Sequence, residues 1–410
     1  MVTPLDAYQK RLVAFLSVAT FFEGYDFFAL SQILPELLRD LSLTPKEGGM
    51  LLAVINFGTV LAALVVRQAD RFGRRTILSV TIIGYTVFSL FTAAATSPIA
   101  FGVFQLVART FLVGEWAVAM IIAAEEFPAD RRATVIGIIQ ASATVGAVAC
   151  AGLVPLLSKV PVLGWRSVYV VGAIPLIIVA ILRRGMRETR RFAEKQATGG
   201  MDRNRLLAVL TGPYRNRVLL LGLIWALTYV CTQSAILFWK QFVVTERGFT
   251  NEQEAASILI GTLVALPLMF FAGKALDVMG RKVGGAVMFS VTALGVFGSY
   301  TLHGQVPLTI ALVFAVFGTT AVLPVLNAYT TELFPTEVRS DAFALANNVF
   351  GRVGFVIAPL LVGLAAEQYG YGNAVALTGI TPIVALVLIL AFLPETRGKE
   401  LEATSAVASH

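Results

Sequence analysis

Long apolar stretches alternate with short polar or Pro/Gly-rich breaks along nearly all of the 410 residues. Most stretches hold about 20 residues, the length that an α-helix needs to cross the hydrocarbon core of a bilayer. The pattern predicts an all-α integral membrane protein with twelve transmembrane helices. The predicted spans are 12–37, 48–66, 76–96, 99–124, 133–157, 167–183, 218–243, 255–273, 284–302, 307–331, 341–364 and 373–393.

The composition argues against most soluble classes of protein. Apolar residues make up 57% of the chain and charged residues only 14%, whereas a typical soluble domain has about 25% charged residues. A soluble protein this apolar could not cover its surface with polar groups, but twelve membrane spans accommodate the excess. A soluble enzyme, a nucleic-acid binder and a disordered scaffold are therefore disfavoured.

The basic residues indicate how the spans are oriented. If both termini are cytoplasmic, 24 of the 32 Lys and Arg residues lie in cytoplasmic segments and six in outer segments, while Arg109 and Arg352 lie inside spans. Cytoplasmic loops of membrane proteins carry such an excess of Lys and Arg. The bias favours an even number of crossings with both termini cytoplasmic. It also accounts for the net charge of +7 without a nucleic-acid partner.

Three charged motifs recur at a constant spacing of 207 residues. ADRFGRR at 69–75 matches LDVMGRK at 276–282, EEFPADRR at 125–132 matches ELFPTEVR at 332–339, and Glu188-Thr189-Arg190 matches Glu395-Thr396-Arg397. Because six spans separate the copies, both halves cross the membrane in the same direction and form a parallel repeat. We expect six-helix bundles at 1–183 and 218–394, a cytoplasmic linker at 184–217 and a cytoplasmic tail at 395–410.

These motifs resemble those of the major facilitator superfamily over almost the whole chain. Residues 70–75 are similar to the family's cytoplasmic signature after span 2, and Arg109 with Gly114 is similar to its Arg-x4-Gly element. The PETRG run at 394–398 is similar to the branch that holds sugar porters, aromatic-acid symporters and organic-ion transporters. The resemblance implies a secondary transporter of a small molecule that works in the lipid bilayer as a monomer.

The repeated charges all fall at the cytoplasmic ends of predicted helices. Carboxylates and arginines there can bind helix termini and one another. In the resembling family such positions form an inner gate that opens during transport. The resemblance implies this role for Asp70, Arg74, Glu125, Arg132, Asp277, Arg281, Glu332 and Arg339. The alternative is that these residues only set the topology and cap helices.

Another group of charged residues lies inside predicted spans and does not recur at the 207-residue spacing. Its members are Glu23, Asp26, Arg109, Glu115 and Arg352. A charge near the bilayer centre costs at least about 2.5 to 3.5 kcal/mol on insertion scales, so it persists where it has a partner or faces water. Each is therefore a functional candidate. Glu115, near the cytoplasmic end of span 4, fits a gate or packing role better than substrate binding.

Asp26 and Arg109 are the strongest candidates for proton coupling. At about 1.5 Å of rise per residue, both lie near the middle of a hydrocarbon core about 30 Å thick. We expect an Asp26–Arg109 ion pair, with Glu23 on the same face of span 1 as the second choice. An anionic substrate that competes for Arg109 would leave Asp26 without its countercharge and favour its protonation. The alternative is a structural pair that only orients the helices.

Polar and aromatic groups in the second half are candidates for substrate binding. Arg352 in span 11 offers a fixed positive charge suited to a carboxylate, with Asn348 one turn before it. Trp225, Tyr229 and Gln233 form one stripe on span 7, with a hydrogen-bonding end. The alternatives are an acidic or carbonyl partner for Arg352 and simple packing for the stripe.

The charges favour a proton-coupled importer of a small organic anion, a carboxylate with or without an aromatic ring, that works by alternating access. The alternative is a symporter or uniporter of an organic cation or of a neutral polyol or sugar, which would bind substrate through Glu23 and Asp26. Span 7 lacks the paired glutamines of hexose carriers. The tail 395–410 is too short for a signalling domain, which disfavours a sensor.

The expected chemistry is transport and not catalysis. His303 and His410 are separate, and Cys150 and Cys231 lack metal-binding or redox spacing. We therefore expect no metal, no cofactor and no enzymatic activity. The expected location is the cell membrane, with many crossings, and in a bacterium the inner membrane.

Overall fold

A computed structural model of the chain describes residues 5–182, 188, 209–335 and 338–397. These residues form almost only helices, as the apolar pattern predicts. The Asp6 carboxylate accepts a hydrogen bond from Gln9 N at 2.7 Å and so caps the first helix. The helices of the first half are α1 Ala7–Asp40, α2 Pro45–Phe72, α3 Arg74–Ala93, α4 Pro98–Glu126, α5 Ala129–Leu157 and α6 Arg166–Leu182.

In the second half, the segment 341–392 departs from a regular α-helix in a π-helix and at Gly370. A π-helix, Ala344–Gly351, interrupts predicted span 11. The other break is at Gly370, whose φ of 76° lies in the left-handed region. The elements are α7 Arg215–Leu237, α8 Trp239–Thr245, α9 Asn251–Met279, α10 Arg281–Thr301, α11 Gln305–Glu332, α12 Arg339–Phe343, the π-helix, α13 Arg352–Thr378 and α14 Ile380–Phe392.

The break at Gly370 separates predicted spans 11 and 12. The Glu246 carboxylate accepts hydrogen bonds from the backbone N–H groups of Tyr371 and Gly372. These N–H groups would have no partner at the start of a new helix. A carboxylate also interacts favourably with the positive end of a helix dipole. Glu246 therefore stabilises the point at which the last span begins.

The helices account for all twelve predicted spans. Ten helical segments among the described residues are long and apolar enough to cross a membrane. One of them, 341–392, has 52 residues, which is more than twice the length of one crossing of a core about 30 Å thick. With its break at Gly370 this segment supplies two spans. The apolar helix α6, with 17 residues, corresponds to predicted span 6.

The chain divides into two compact units. The first contains Met1–Ser42 and Val54–Met201, and the second contains Leu43–Ala53 and Asp202–His410. Residues 43–53, at the start of α2, thus group with the second unit. There the backbones of Gly49 and Gly363 approach so closely that a Cβ on either would lie 2.8 Å from the Cα of the other. Within the predicted linker 184–217 and tail 395–410, residues 184–187, 189–208 and 398–410 lie outside the described residues.

Glycines fix the position of α1 in the first unit. A Cβ on Gly24 would lie 2.0 Å from the carbonyl oxygen of Ala143 on α5. A Cβ on Gly146 would lie 1.9 Å from the carbonyl oxygen of Phe21 on α1. No side chain fits at such distances, so the two backbones can approach only where both positions are glycine. This contact places Asp26, half a turn beyond Gly24, inside the first unit.

Candidate functional site

Asp26 and Arg109 both lie inside the first unit. Asp26 on α1 is 4% exposed, and Arg109 on α4 is 3% exposed. A Cβ on Gly58 of α2 would lie 2.5 Å from the Leu106 carbonyl oxygen and 3.1 Å from the Arg109 Cβ, so only glycine fits where α2 packs against this part of α4. Glu23, 9% exposed, is near enough to interact electrostatically with Arg109. The first unit therefore brings together the three residues that we predicted to couple protons.

Asp26 and Arg109 interact through space and not through hydrogen bonds. Each contributes to the electrostatic environment of the other. However, Oδ1 of Asp26 and the Nε and Nη1 atoms of Arg109 have no hydrogen-bond partner among the described residues. The Arg109 guanidinium lies instead over the ring of Phe27, 4.3 Å from its centroid. The two side chains are thus electrostatic neighbours, and the expected Asp26–Arg109 ion pair stays a prediction.

Three hydroxyl groups surround this buried pair. Tyr85 and Ser89, on one face of α3, interact with the Asp26 carboxylate. Tyr169 on α6 is near both Asp26 and Arg109. The Tyr85 and Ser89 hydroxyls can donate to this carboxylate, whereas the Tyr169 hydroxyl has no hydrogen-bond partner among the described residues. The site is therefore a group of charged and polar side chains with free hydrogen-bonding capacity.

The predicted stripe on α7 lies in the second unit and is buried. Trp225, Tyr229 and Gln233 are 1%, 8% and 6% exposed. The Trp225 indole N–H donates to the Thr330 hydroxyl at 3.0 Å, and the Tyr229 hydroxyl donates to Asn347 Oδ1 at 2.9 Å. The rings of Trp225 and Tyr229 are 5.2 Å apart. Two helix-to-helix hydrogen bonds thus hold the aromatic stripe in place.

Arg352 lies beside this stripe at the end of the π-helix. Its guanidinium carbon is 4.9 Å from the ring centroid of Phe355 and 5.8 Å from that of Tyr229. A Cβ on Gly351 would lie 2.8 Å from Trp225 Cβ, so the π-helix ends where a side chain does not fit. π-Helical turns occur frequently at functional sites. Asn348, which we predicted to share a face with Arg352, is exposed, whereas the adjacent Asn347 is buried.

The repeated loop charges form the same contacts in each unit. Arg74 Nη2 lies 3.2 Å from Glu125 Oε1 in the first unit. Arg281 Nη2 lies 2.8 Å from Glu332 Oε1 in the second. Each arginine also donates to a backbone carbonyl five residues before it, Ala69 or Leu276. The 207-residue repeat in sequence is therefore a repeat of atomic contacts, and these pairs lie within one unit.

Two further glutamates bind the helix starts next to these arginines. Glu188 accepts from the backbone N–H groups of Arg74, at 2.9 Å, and Arg75, at 3.2 Å. Glu395 accepts from those of Arg281 and Lys282, both at 2.9 Å. Partial burial acts to raise the pKa of Glu395, but backbone N–H groups donating to its carboxylate hold that pKa below its ordinary value.

Gly73 and Gly280 precede these helix starts and have φ angles of 95° and 86°. This is the region that favours glycine. Arg339, another predicted gate residue, donates through Nε to the carbonyl of Phe334 at 3.2 Å. The side chains of the other three predicted gate residues lie outside the described part of the chain. These three are Asp70, Arg132 and Asp277.

Sequence reasoning missed the hydroxyls and the buried neighbours of the charged residues. Tyr85 and Ser89 are four residues apart on span 3, a spacing that could have indicated one polar face. No sequence pattern singled out Tyr169, Thr330 or Phe355 as a neighbour of the charged residues. No sequence pattern indicated the π-helix, because its residues match those of an ordinary apolar helix.

Comparison with known proteins gives the family. The Major Facilitator Superfamily model matches residues 16–352 and 305–408. The probable 4-methylmuconolactone transporter of Cupriavidus pinatubonensis is 30% identical over 412 residues, covering 95% of this chain and 91% of that protein. The cis,cis-muconate transport protein of Acinetobacter baylyi is 27% identical over 396 residues, covering 94% of each. The xylose transporter of Escherichia coli has the same fold, with a TM-score of 0.78, 17% identity and coverage of 96% of this chain and 98% of that one.

These relatives are bacterial membrane transporters, and this protein is likewise not an enzyme. It is a multi-pass protein of the membrane, which for such bacterial proteins is the inner membrane. From its helical units, its repeated loop contacts and the family model that matches most of its length, the chain belongs to the major facilitator superfamily.

Proposed function

We propose that the protein imports a small organic anion together with protons by alternating access. The observation that supports this proposal most directly is that Arg109 is buried while part of its guanidinium has no hydrogen-bond partner among the described residues. The two nitrogen atoms without such a partner are Nε and Nη1. A guanidinium has five N–H donors and stays charged in proteins. A carboxylate would supply the acceptors that these donors lack.

Proton coupling follows from the electrostatic link between Arg109 and Asp26. While Arg109 faces Asp26, its positive charge favours the ionised carboxylate. A substrate carboxylate that binds Arg109 neutralises this charge, and Asp26 then favours its protonated form. The anion and the proton therefore enter together, which avoids leaving two negative charges in a region of low dielectric.

The second unit, taken by itself, also carries groups suited to contact an organic acid. Arg352 and the exposed Asn348 can bind a polar group, and Trp225, Tyr229 and Gln233 offer aromatic and amide contacts. The names of two relatives support this class, since cis,cis-muconate and methylmuconolactone are small organic acids with carboxylates. We infer that the substrate is a small mono- or dicarboxylate, with benzoate-like acids included.

We also infer that the loop charges form the inner gate on a cytoplasmic face that carries both termini. Each unit contains one ion pair of this kind, Arg74–Glu125 in the first and Arg281–Glu332 in the second. In each unit a glutamate also accepts hydrogen bonds from the N–H groups at the start of the neighbouring helix. The predicted gate also includes Arg339, Asp70, Arg132 and Asp277. The transporter works as a monomer in this proposal.

Uptake into proteoliposomes with an imposed pH gradient tests the function. Labelled benzoate and cis,cis-muconate serve as probes, and wild-type protein should accumulate at least one of them when the gradient is inward. Arg109→Gln should abolish uptake, and Arg109→Lys, which keeps the charge but not the planar fork, should restore only a minor part of it. Asp26→Asn should exchange substrate across the membrane yet fail to accumulate it. Accumulation by Asp26→Asn equal to wild type would refute the coupling role.

A second candidate function is transport of an organic cation, or of a neutral polyol or sugar. The observation that favours it is the presence of two buried carboxyl groups, Glu23 and Asp26, on one face of α1. Competition separates the two classes. If choline or xylose displaces the labelled probe and benzoate does not, the second function replaces the first.

A further inference from the structure

The aromatic ring of Phe27 lies against the guanidinium of Arg109, and the mechanism proposed above gives this ring no role. The guanidinium carbon is 4.3 Å from the ring centroid, inside the range of about 6 Å within which an aromatic face attracts a cation. Arg109 is 3% exposed. The attraction is stronger for a cation that has little contact with water, so the ring contributes to the stability of this buried charge.

The contact with Phe27 explains why hydrogen-bonding atoms at this site have no partners. Nε and Nη1 of Arg109 are donors and Oδ1 of Asp26 is an acceptor, yet all three lack hydrogen-bond partners among the described residues. Leaving buried polar atoms unbonded is unfavourable. Phe27 comes directly after Asp26 on α1. A guanidinium that is attracted to its ring is stabilised without an acceptor for each N–H donor.

Packing fixes both members of this contact. The ring of Phe27 packs against the buried cluster that contains Tyr85 and Leu112. At Gly58 the backbone of α2 comes so close that a Cβ there would lie 3.1 Å from the Cβ of Arg109. The first atoms of the arginine side chain are therefore confined between α2 and α4, and its guanidinium meets a ring that is itself held in place.

The other arginine inside a predicted span also faces aromatic rings. The guanidinium carbon of Arg352 is 4.9 Å from the ring centroid of Phe355 and 5.8 Å from that of Tyr229. Neither Arg109 nor Arg352 recurs at the 207-residue spacing, because the chain has valine at both corresponding positions. Each half thus has its own intramembrane arginine beside a ring, and the repeat of the scaffold does not account for this arrangement.

We propose that Phe27 is the positioning residue of the Arg109 site. Its ring holds the guanidinium so that Nε and Nη1 stay available to a substrate carboxylate and do not turn to Oδ1 of Asp26. This inference rests on the proposed function, since Arg109 is the residue proposed to bind the anion. Without the ring, these donors bond to Asp26, and an entering anion must first break that contact. Loss of the ring therefore weakens binding of the anion.

Thermal unfolding of the purified protein tests the contact without any transport step. Fluorine atoms on a phenylalanine ring withdraw negative charge from its face and change its shape little. Replacing Phe27 by trifluorophenylalanine should lower Tm by about 2–4 °C more than the same replacement of Phe22. Phe22 is the matched control, because it also belongs to α1 and packs against the same cluster.

An Arg109→Gln background shows whether the guanidinium causes this difference in Tm. Without the charge, trifluorophenylalanine at position 27 and at position 22 should have equal effects. If the two replacements already have equal effects in the wild-type background, the Phe27 ring does not stabilise the guanidinium and the proposal is wrong.

Uptake of labelled benzoate or cis,cis-muconate into proteoliposomes tests the positioning role. Phe27→Leu should raise KM about tenfold and change the maximum rate less. Phe27→Tyr keeps an aromatic ring and should restore a KM close to that of wild type. Phe22→Leu should leave KM unchanged, which separates the contact with Arg109 from packing in the cluster. A wild-type KM in Phe27→Leu would overturn the proposal.

Exchange measurements in an Asp26→Asn background test why KM rises. Asparagine carries no charge and binds a guanidinium more weakly than a carboxylate does. The effect of Phe27→Leu on KM should therefore shrink in this background, whereas an effect of equal size in both backgrounds would refute the competition with Asp26. If wild type carries neither probe, the proposed function fails, while the Tm comparison still decides whether Phe27 stabilises the Arg109 guanidinium.

Discussion

Replacing Gly280 by alanine is the sharpest test of the repeated loop contacts. Gly280 has a φ of 86°, and a Cβ built there lies 2.9 Å from Glu395 Oε2 and 3.1 Å from its Cδ. Glu395 is the residue that binds the N–H groups of Arg281 and Lys282 at the start of α10. Alanine at this position should therefore strain the backbone and also displace the carboxylate.

The backbone strain and the lost hydrogen bonds both contribute. Gly280 has φ 86° and ψ 170°, a conformation essentially restricted to glycine, and a side chain there costs about 1–3 kcal/mol. Each of the two hydrogen bonds that Glu395 loses adds about 1 kcal/mol, taken at the low end for charged groups because this carboxylate is partly exposed. Gly280→Ala should therefore cost about 3–5 kcal/mol. Gly304→Ala is the matched control, since its φ is 83° and the nearest atom, on Pro307, is 3.7 Å from the built Cβ. It should cost about 1–3 kcal/mol.

Thermal unfolding of the purified protein in detergent provides the measurement. For a folding unit of 150–250 residues, 1 kcal/mol corresponds to about 2–4 °C in Tm. Gly280→Ala should thus lower Tm by about 4–8 °C more than Gly304→Ala does. In a Glu395→Ala background, where the clash is gone, the two substitutions should have similar effects. Equal effects in the wild-type background would refute the role of Glu395 as the residue that alanine displaces.

Three further predictions concern other contacts. Gly146→Ala should destabilise the protein by about 3 kcal/mol or more, because its Cβ would lie 1.9 Å from a carbonyl oxygen of α1. Gly152→Ala is the control and should be neutral or stabilising in the same thermal assay, because there is open space around it. Trp225→Phe and Thr330→Val should each cost about 1–2 kcal/mol, and additive effects in the double variant would show that the indole–hydroxyl bond is unimportant. The folded-state pKa of Glu395 lies below its ordinary value, so Glu395 should stabilise the protein at neutral pH and lose this effect as the pH falls through that pKa. The Tm difference between wild type and Glu395→Gln should therefore shrink on acidification. A difference that grows would contradict the assignment.

The architecture could be predicted from the pattern of apolar and charged residues. Apolar stretches long enough for a bilayer predict helices at the places where the structure has them, because in a membrane every backbone polar group must be bonded within the helix. The 207-residue repeat predicted matching charges in both halves, and Arg74–Glu125 and Arg281–Glu332 match almost atom for atom. These features depend on local composition and on the spacing of residues, and both can be read from the amino-acid sequence.

The surroundings of the buried charged residues depend on helix packing and could not be predicted. Sequence spacing put Asp26 and Arg109 at a similar depth. Only the packing of α1, α3 and α4 placed Tyr85 and Ser89 beside Asp26 and put Arg109 over Phe27, with its Nε and Nη1 atoms lacking hydrogen-bond partners among the described residues. The π-helix before Arg352 also escaped the sequence pattern. Such contacts depend on where glycines let two backbones touch and on how the helices cross. Residues far apart in the chain fix that geometry together, so no local pattern contains it.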